Sequence, residues 1–478
     1  MAFTVTLLPL LAAAQFSVSG KITDRQTGSA LPGATISILN SGIQTVSNAA
    51  GDYRLTDLPP AEYTIKISYV GYAGTQKTIH LKGNSTASFA LLPGSNLTEE
   101  VTVSGTRARA NSPTAYTNLS KADIKKNNDG RGFEYLLQQT PSAVISSNAG
   151  AGVGYTSVRI RGSDPTRINV TLNGIPMNDA EDQGVYFVDL PDLASSVDNI
   201  QVQRGVGTST NGAGAFGASI NIQTTTRRDT AYAQIDNSAG SYGTVKNTVS
   251  MGSGLLNGHF SVDGRLSRIN SDGYIDRAFS KLKSYFVSGA YYNKNTVLRA
   301  NLFSGYEQTY QAWDGVPEDS VLHGNRRYNE LGYINSTGTY YKNQTDNYNQ
   351  NYYQLLLTQK LSDVLSFSGA LHYTKGYGYY EEYKNDQALA DYGITPVTVG
   401  DTLVSNTDLV RRLWLNNDFY GLTYNLNYQP DNNLTAVLGG AYNEYRGAHY
   451  NNIEWTQQSA GILPDYEYAR NNAVKKDF

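Results

Sequence analysis

Alternation of apolar and small polar residues with a period of two runs through the second half of the chain. From Tyr420 to Tyr428 every second residue is Tyr or Leu, and Gly, Thr and Asn stand between them. The segment from Leu365 to Thr374 alternates in the same way. Successive side chains of a strand point to opposite faces, so each such segment has one apolar and one polar face. Residues 227–478 are therefore predicted to form about nine long strands of one antiparallel sheet.

The composition favours a sheet that lies in a membrane. The 478 residues include 37 tyrosines against 13 phenylalanines, and only 17% are charged. A transmembrane β-barrel has an apolar outer face, a polar interior and aromatic residues at both interfaces. No apolar run is long enough to span a bilayer as a helix, so insertion by strands is expected. The net charge of −3 without a basic patch argues against nucleic acid as a partner.

Short and long connections alternate along this half of the chain. The short ones are 255–258, 293–295, 361–363 and 429–433, and the long ones are 269–281, 310–349 and 379–410. Outer-membrane barrels have short periplasmic turns and longer extracellular loops. We therefore expect the long set, which includes Trp313, to form a ligand mouth outside the cell.

The N-terminal part reads as two further segments. Residues 1–14 are apolar and end in small residues, which predicts an export signal. A buried strand of the next domain is the alternative. The segment has no basic residues before its apolar part, which suggests that the true start codon lies upstream. Residues 16–93 contain short alternating runs separated by turn residues, which predicts a small β-sandwich.

Two glycine-rich segments between Val158 and Ile222 carry the most specific signal. They resemble the plug domain of TonB-dependent outer-membrane receptors through Arg159, Arg161, Gly162, Asn173 and Gly174 in the first segment and Arg204, Gly205 and Gly207 in the second. The resemblance implies a plug domain at 108–226 followed by the barrel. The family closes its barrel with about 22 strands, so we expect this chain to be a fragment. The sandwich resembles the carboxypeptidase-regulatory-like domain that some of these receptors carry. The overall expectation is a mainly β protein with a sandwich, an α+β plug and the first part of a barrel.

The stretch 97–107 resembles the TonB box of these receptors. The resemblance implies that TonB binds Glu99, Glu100, Val101, Thr102 and Val103. β-Branched residues suit a strand that pairs with a partner sheet through main-chain hydrogen bonds. A linker or a first plug strand is the alternative.

Other motifs do not indicate an enzyme. The glycines from Gly212 to Gly217 match a dinucleotide fingerprint, but a strand follows them where a helix is required. The five histidines are scattered without the spacing of zinc ligands, and there is no cysteine. The acidic stretch from Asn178 to Asp182 could hold a cation or form a solvated loop, and we favour the loop. No catalytic residue, metal or cofactor is expected.

The resemblance implies energised import of a ferric siderophore or similar iron complex across the outer membrane of a Gram-negative cell. The expected partners are TonB with its inner-membrane complex, outer-membrane lipid, the chelate and possibly a surface lipoprotein. Candidate ligand contacts are Arg167, Tyr186, Phe187 and Trp313. Arg159 and Arg161, like Arg167, could contact an anionic chelate, but we favour the alternative that this segment braces the plug against the barrel wall. A SusC-like glycan or peptide importer is the alternative, and the plug argues against a passive porin or an adhesion barrel.

Overall fold

The structure is a computed structural model that describes residues 15–25, 28–39, 41–69, 72, 74–91, 107–108, 114–206, 214–224, 226–430, 434–458 and 464–478. These residues form two compact units, divided at residue 97. The predicted export signal (1–14), the predicted TonB-binding residues (99–103) and Gly207 lie outside the described residues.

The N-terminal unit is a β-sandwich, as the sequence predicts. Its strands are β1 (Phe16–Asp24), β2 (Thr35–Ile38), β3 (Gln44–Val46), β4 (Asp52–Leu58), β5 (Ala61–Ser68), β6 (Thr75–Leu81), β7 (Ser85–Thr86) and β8 (Phe89–Leu91). Strand β1 pairs with β4, β7 and β8 in one sheet, and the other sheet has the order β3-β2-β5-β6. Ile22, Ile36 and Ile65 are fully buried in the core that the two sheets share.

The predicted plug contains a five-stranded mixed sheet. Its elements are β9 (Tyr116–Ser120), α1 (Lys121–Asn127), a 3-10 helix (Phe133–Gln139), β10 (Ala143–Ser147), β11 (Thr156–Ile160), a 3-10 turn (Pro165–Arg167), β12 (Ile168–Leu172), β13 (Ile175–Pro176), two 3-10 turns (Phe187–Asp189 and Leu193–Ser196), β14 (Val197–Arg204) and β15 (Ala218–Thr224). The sheet order is β13-β12-β15-β14-β9, with β12 and β15 parallel. Strands β10 and β11 form a separate hairpin. Every residue of β15 is buried, so this strand lies at the centre of the plug.

The remaining residues form one antiparallel sheet of ten strands, where about nine were expected. The ten strands are β16 (Tyr232–Ala239), β17 (Val245–Gly252), β18 (Phe260–Ser271), β19 (Ser280–Tyr292), β20 (Thr296–Tyr310), β23 (Thr345–Lys360), β24 (Leu365–Ala388), β27 (Asn406–Tyr428), β28 (Ala436–Thr456) and β29 (Tyr466–Asp477), and each pairs with the next. The loops carry α2 (Glu318–Leu322), the hairpin β21 (Tyr333–Ile334) and β22 (Thr339–Tyr340), a 3-10 turn (Leu389–Tyr392), and the hairpin β25 (Val397–Val399) and β26 (Thr402–Val404).

The faces of this sheet are the reverse of those in a water-soluble protein. In β18 the polar residues Ser261, Asp263 and Arg265 are buried, while the apolar residues Val262 and Leu266 are exposed. An outward apolar face and an inward polar face are characteristic of a strand that borders lipid. Among the described residues, no helix is both long and apolar enough to cross a bilayer.

The connections follow the predicted alternation at two of the three long positions, whereas the predicted long connection 269–281 is only residues 272–279 between β18 and β19. The turns 253–259, 293–295 and 361–364 lie at one edge of the sheet, where β27 also ends and β28 begins, and the opposite edge carries the long connections 311–344 and 389–405. Strands β24 and β27 extend well into the region 379–410 that was expected to be a loop.

Candidate functional site

Asn173 and Gly174 form the two-residue turn between β12 and β13. Both have positive φ, +57° and +80°, as a type I′ hairpin turn requires. The Asn173 side chain accepts from the Thr224 amide at 3.0 Å and donates to Gln354 Oε1 on β23 at 2.9 Å. This motif therefore shapes the plug and also ties it to the large sheet.

Arg161 connects two segments of the plug. It follows β11 with a φ of +54°, and Gly162 continues the turn at +75°. Its Nη1 donates to the carbonyl oxygen of Arg204 at 3.2 Å. A Cβ on Gly205 would lie 3.2 Å from the same nitrogen. This contact of Arg161 joins the two glycine-rich segments within the plug and is not the expected brace against the barrel wall, while Arg159 is exposed on β11.

The plug rests on the inner face of the large sheet through aromatic contacts. Phe303 of β20 stacks on Tyr352 of β23, with ring centroids 4.6 Å apart, and on Phe286 of β19 at 5.8 Å. All three belong to the same buried cluster as the plug core. A Cβ on Gly305 would lie 2.0 Å from the Asp189 carbonyl oxygen, so glycine allows the two backbones to approach this closely.

A buried ion cluster at Asp192 provides a second attachment. The Asp192 carboxylate lies 2.5 Å from Lys246 Nζ and 3.3 Å from Arg265 Nη1, and its side chain is fully buried. Thr248 and Ser267 donate their hydroxyls to it at 2.6 and 2.8 Å. Burial favours a higher pKa for Asp192, but the two cations prevail and hold the pKa below its ordinary value. We call this group the Asp192 anchor.

A cavity of about 580 Å³ separates the plug loop 176–190 from the inner face of the sheet. It lies toward the edge that carries the long loops, because β23 begins and β20 ends beside it. The aromatic residues in its lining are Tyr155, Tyr186, Trp313, Tyr348, Tyr352, Tyr380, Phe419 and Tyr445, and the carboxylates are Asp179, Glu181, Asp182, Asp189 and Asp346. The size and the mixed lining are typical of a small-molecule site.

The acidic stretch from Asn178 to Asp182 forms a hydrogen-bonded loop. Asp179 Oδ1 accepts from the amides of Glu181 and Asp182 at 2.7 and 3.2 Å, and Asp182 accepts from the Tyr186 hydroxyl. Nowhere in the described part of the chain are three or more His, Asp and Glu side chains arranged to hold a metal ion. The geometry agrees with the loop interpretation, in which the side chains organise the backbone.

Glu181 joins this loop to the large sheet. Its Oε2 lies 3.1 Å from His449 Nε2 and accepts from the Tyr445 hydroxyl at 3.2 Å, and both partners are on β28. Lys475 Nζ of β29 donates to the carbonyl oxygen of Ala180 at 2.7 Å. We call these contacts the apex latch.

Three carboxyl groups meet at the inner end of the cavity. The Tyr155 hydroxyl donates to Asp346 at 2.6 Å and to Glu307 at 3.1 Å. Asp189 shares a side-chain hydrogen bond with Glu307, and burial together with the nearby Asp346 raises the pKa of Asp189 well above its usual range. Asp189 Oδ1 is buried and has no hydrogen-bond partner among the described residues.

Comparison with known proteins identifies the two regions. A model of the TonB-dependent receptor plug domain matches residues 108–219, and a model of the CarboxypepD_reg-like domain matches residues 18–103. The central region is a TonB-dependent receptor plug domain. The second match ends at residue 103 and overlaps the predicted TonB box. A comparison with curated proteins finds no sequence match.

Solved structures share the fold at low sequence identity. The ferric preacinetobactin receptor BauA of Acinetobacter baumannii is 12% identical with a TM-score of 0.52; the match covers 76% of this chain and 52% of BauA. The ferric citrate transporter FecA is 14% identical with a TM-score of 0.57 over 76% and 52% of the two chains. The pyoverdine-bound FpvA of P. aeruginosa is 12% identical with a TM-score of 0.54 over 80% and 50%.

The chain spans about half the length of these solved structures. Proteins with this plug domain and fold are outer-membrane β-barrel receptors and are not enzymes. The plug-domain match and the shared fold agree with the expected outer-membrane location and with the expectation that the chain is not an enzyme.

The four predicted ligand residues lie in different places relative to the plug cavity. Tyr186 and Trp313 line it. Phe187 is buried in the plug core and stacks on Phe133, with ring centroids 4.5 Å apart. Arg167 is exposed on the plug with its guanidinium 6.0 Å from the Phe216 ring centroid. Only the two loop aromatics are therefore in position to contact a ligand in this cavity.

Sequence reasoning missed the residues at the inner end of the cavity. Asp189, Glu307 and Asp346 come from the plug and from two strands, and pairing of β20 with β23 brings the last two together. The sequence around each of them does not differ from that around other polar residues of barrel strands. The one available signal was that Glu307 and Asp346 are acidic residues on the polar face of a strand.

Proposed function

We propose that the chain acts in TonB-dependent import of a scarce ligand, a ferric siderophore or another iron complex, across the outer membrane. The observation that carries the proposal is the cavity between the plug loop 176–190 and the inner face of the sheet. Because the plug packs against the inner face of the sheet, it can act as a gate. The cavity beside the plug loop would let a ligand contact this gate before the gate opens.

Three attachments define what opening must disrupt. They are the Asp192 anchor, the apex latch and the aromatic contact of Phe286, Phe303 and Tyr352. Together they bury ionic, polar and apolar groups, so thermal motion alone opens the plug rarely. An external force is therefore required, and in this proposal TonB supplies it through residues 99–103.

Proline substitution tests this role of TonB. Val101→Pro or Thr102→Pro removes a main-chain donor from the docking strand. In the complete receptor, either change should abolish uptake of the iron complex and leave its binding unchanged. Val101→Ala keeps the donor and is the matched control. Uptake that persists in both proline variants would refute the assignment.

A SusC-like importer of glycans or peptides is the second candidate. The CarboxypepD_reg-like match at residues 18–103 favours it, since members of that branch also carry this domain before the plug. Such a receptor should co-purify with a surface lipoprotein and should be induced by its glycan or peptide. Induction by iron limitation without a bound lipoprotein would support the iron complex instead.

A further inference from the structure

The plug cavity is acidic. Five carboxyl groups line it, and His449 is the only basic side chain among its described lining residues. Lys475 reaches the same loop, but its ammonium group is bonded to a main-chain carbonyl oxygen. A concave, partly desolvated surface of one charge sign concentrates its field on whatever enters.

The hydrogen-bond donors to most of these carboxyl groups are neutral. Main-chain amides bind Asp179, and the Tyr186, Tyr155 and Tyr445 hydroxyls bind Asp182, Asp346 and Glu181. Among the described residues, His449 is the one basic side chain in direct contact with them. The described lining therefore offers acidic groups, and no fixed positive charge, to an entering ligand.

Two acceptors in the cavity wall, Asp189 Oδ1 and Asn417 Oδ1, have no donor among the described residues. The Asp189 carboxyl is 8% exposed and shares a hydrogen bond with Glu307, but its Oδ1 accepts from no amide, hydroxyl or ammonium group in the described part of the chain. Buried polar atoms are nearly always hydrogen-bonded, so an orphan at a cavity wall indicates a place for a ligand donor.

Aromatic rings line the same cavity. Trp313 meets Tyr155 edge to face at 5.7 Å and Tyr380 at 5.4 Å, and Tyr155 meets Tyr186 in the same way at 6.2 Å. The faces of such rings attract cations.

We propose that the imported ligand presents a cationic donor, such as a protonated amine, to the plug cavity, where Asp189 and the rings around Trp313 receive it. This rests on the proposed function only in taking the cavity as the import site. It also narrows that function, because the described lining presents a polyanionic iron chelate with five carboxyl groups and with no Lys or Arg.

A series of chelates that differ only in charge tests the proposal. Ferrioxamine B carries a free primary amine beside its ferric hydroxamate centre; acetylation makes that end neutral, and succinylation makes it anionic. Titration calorimetry on the complete receptor should show the amine form binding at least about tenfold more tightly than the succinyl form, with the acetyl form between them. A bound cation should also lower the raised pKa of Asp189, so the amine form should bind with release of protons.

Two variants locate the effect. Asp189→Asn and Asp346→Asn should each reduce the preference for the amine form. Asp363→Asn makes the same charge change in the exposed turn 361–364 at the other edge of the sheet and should not alter it.

Equal affinities for the three forms, tighter binding of the succinyl form, or no binding of the amine form up to about 1 mM would overturn the proposal. The Val101→Pro uptake assay decides the proposed function separately, because equilibrium binding does not require TonB.

Discussion

Neutralising Asp192 should weaken the attachment of the plug more than any other single charge change in it. Asn is the right replacement, since it has nearly the shape of Asp and tolerates the positive φ of +54° at this position. Asp192→Asn therefore removes the charge and leaves the backbone undisturbed. The Lys246 and Arg265 side chains, 3% and 5% exposed, would then be left without their buried counter-ion.

The expected magnitude follows from that burial. Removing one partner of a buried ion pair costs about 3–5 kcal/mol, because the remaining charge stays desolvated. At about 1.4 kcal/mol per tenfold change, local opening of the plug at residues 187–204 should become at least about a hundredfold more frequent. Removing one stranded cation as well, in Asp192→Asn/Lys246→Met, should recover part of the loss.

Hydrogen exchange of the complete receptor, resolved by mass spectrometry, measures this opening. Asp129→Asn is the control, since Asp129 pairs with Arg131 at the plug surface and an exposed pair contributes less than about 1 kcal/mol. The depressed pKa of Asp192 means that its stabilisation is present above the unfolded pKa of about 3.9 and is lost as the pH falls through the folded value. The reasoning fails if Asp192→Asn behaves like Asp129→Asn at neutral pH, or if the double variant is no more protected than the single one.

Three further changes probe the plug and its seat, each by the same exchange measurement. Burial raises the pKa of Glu134 from 4.5 to about 7, so the exchange protection of the 3-10 helix 133–139 should fall by up to about 3 kcal/mol as the pH rises through that range. Glu134→Gln should remove this pH dependence, and a variant with the same pH profile as the original protein would contradict the reasoning. Gly305→Ala places a methyl group against the Asp189 carbonyl and should unseat the plug, whereas Gly289→Ala on the neighbouring strand meets nothing and should not; equal protection in both would refute the close contact. Asn173→Val forces a β-branched residue to positive φ and should cost at least about 1–2 kcal/mol, against a smaller loss for Asn173→Gly.

Much of the fold was predictable because its patterns are local. The period-two alternation of residues 420–428 gives the strand and its two faces directly, and Asn173-Gly174 gives the hairpin turn. The extent of β24 was not predictable in the same way. Its last residues, up to Ala388, include charged residues and an irregularity after Lys384, which hide the alternation, while pairing with β27 keeps them in the sheet.

The candidate site divides in the same way. Family resemblance and loop position suggested Tyr186, Phe187 and Trp313 as ligand residues, and two of them, Tyr186 and Trp313, line the cavity. Asp346 and Tyr155 are 191 positions apart, and they meet only because the plug sits against β23. No local pattern encodes such a contact. Lys246 and Arg265 are charged residues on strand faces that otherwise carry small polar residues. Their presence there was the one sequence signal that pointed to an acidic partner in the plug.

The two polar attachments of the plug differ in a way that sets the order of opening. Glu181 and His449 in the apex latch are each about one-third exposed, so water screens their contact and its loss costs little. The Asp192 anchor is closed to water, and breaking it strands two cations. A ligand cation in the cavity competes with His449 and Tyr445 for Glu181 and has no access to Asp192. Ligand binding should therefore loosen the apex latch while the Asp192 anchor stays intact. Release of the anchor would then need the force that TonB supplies in the proposed function.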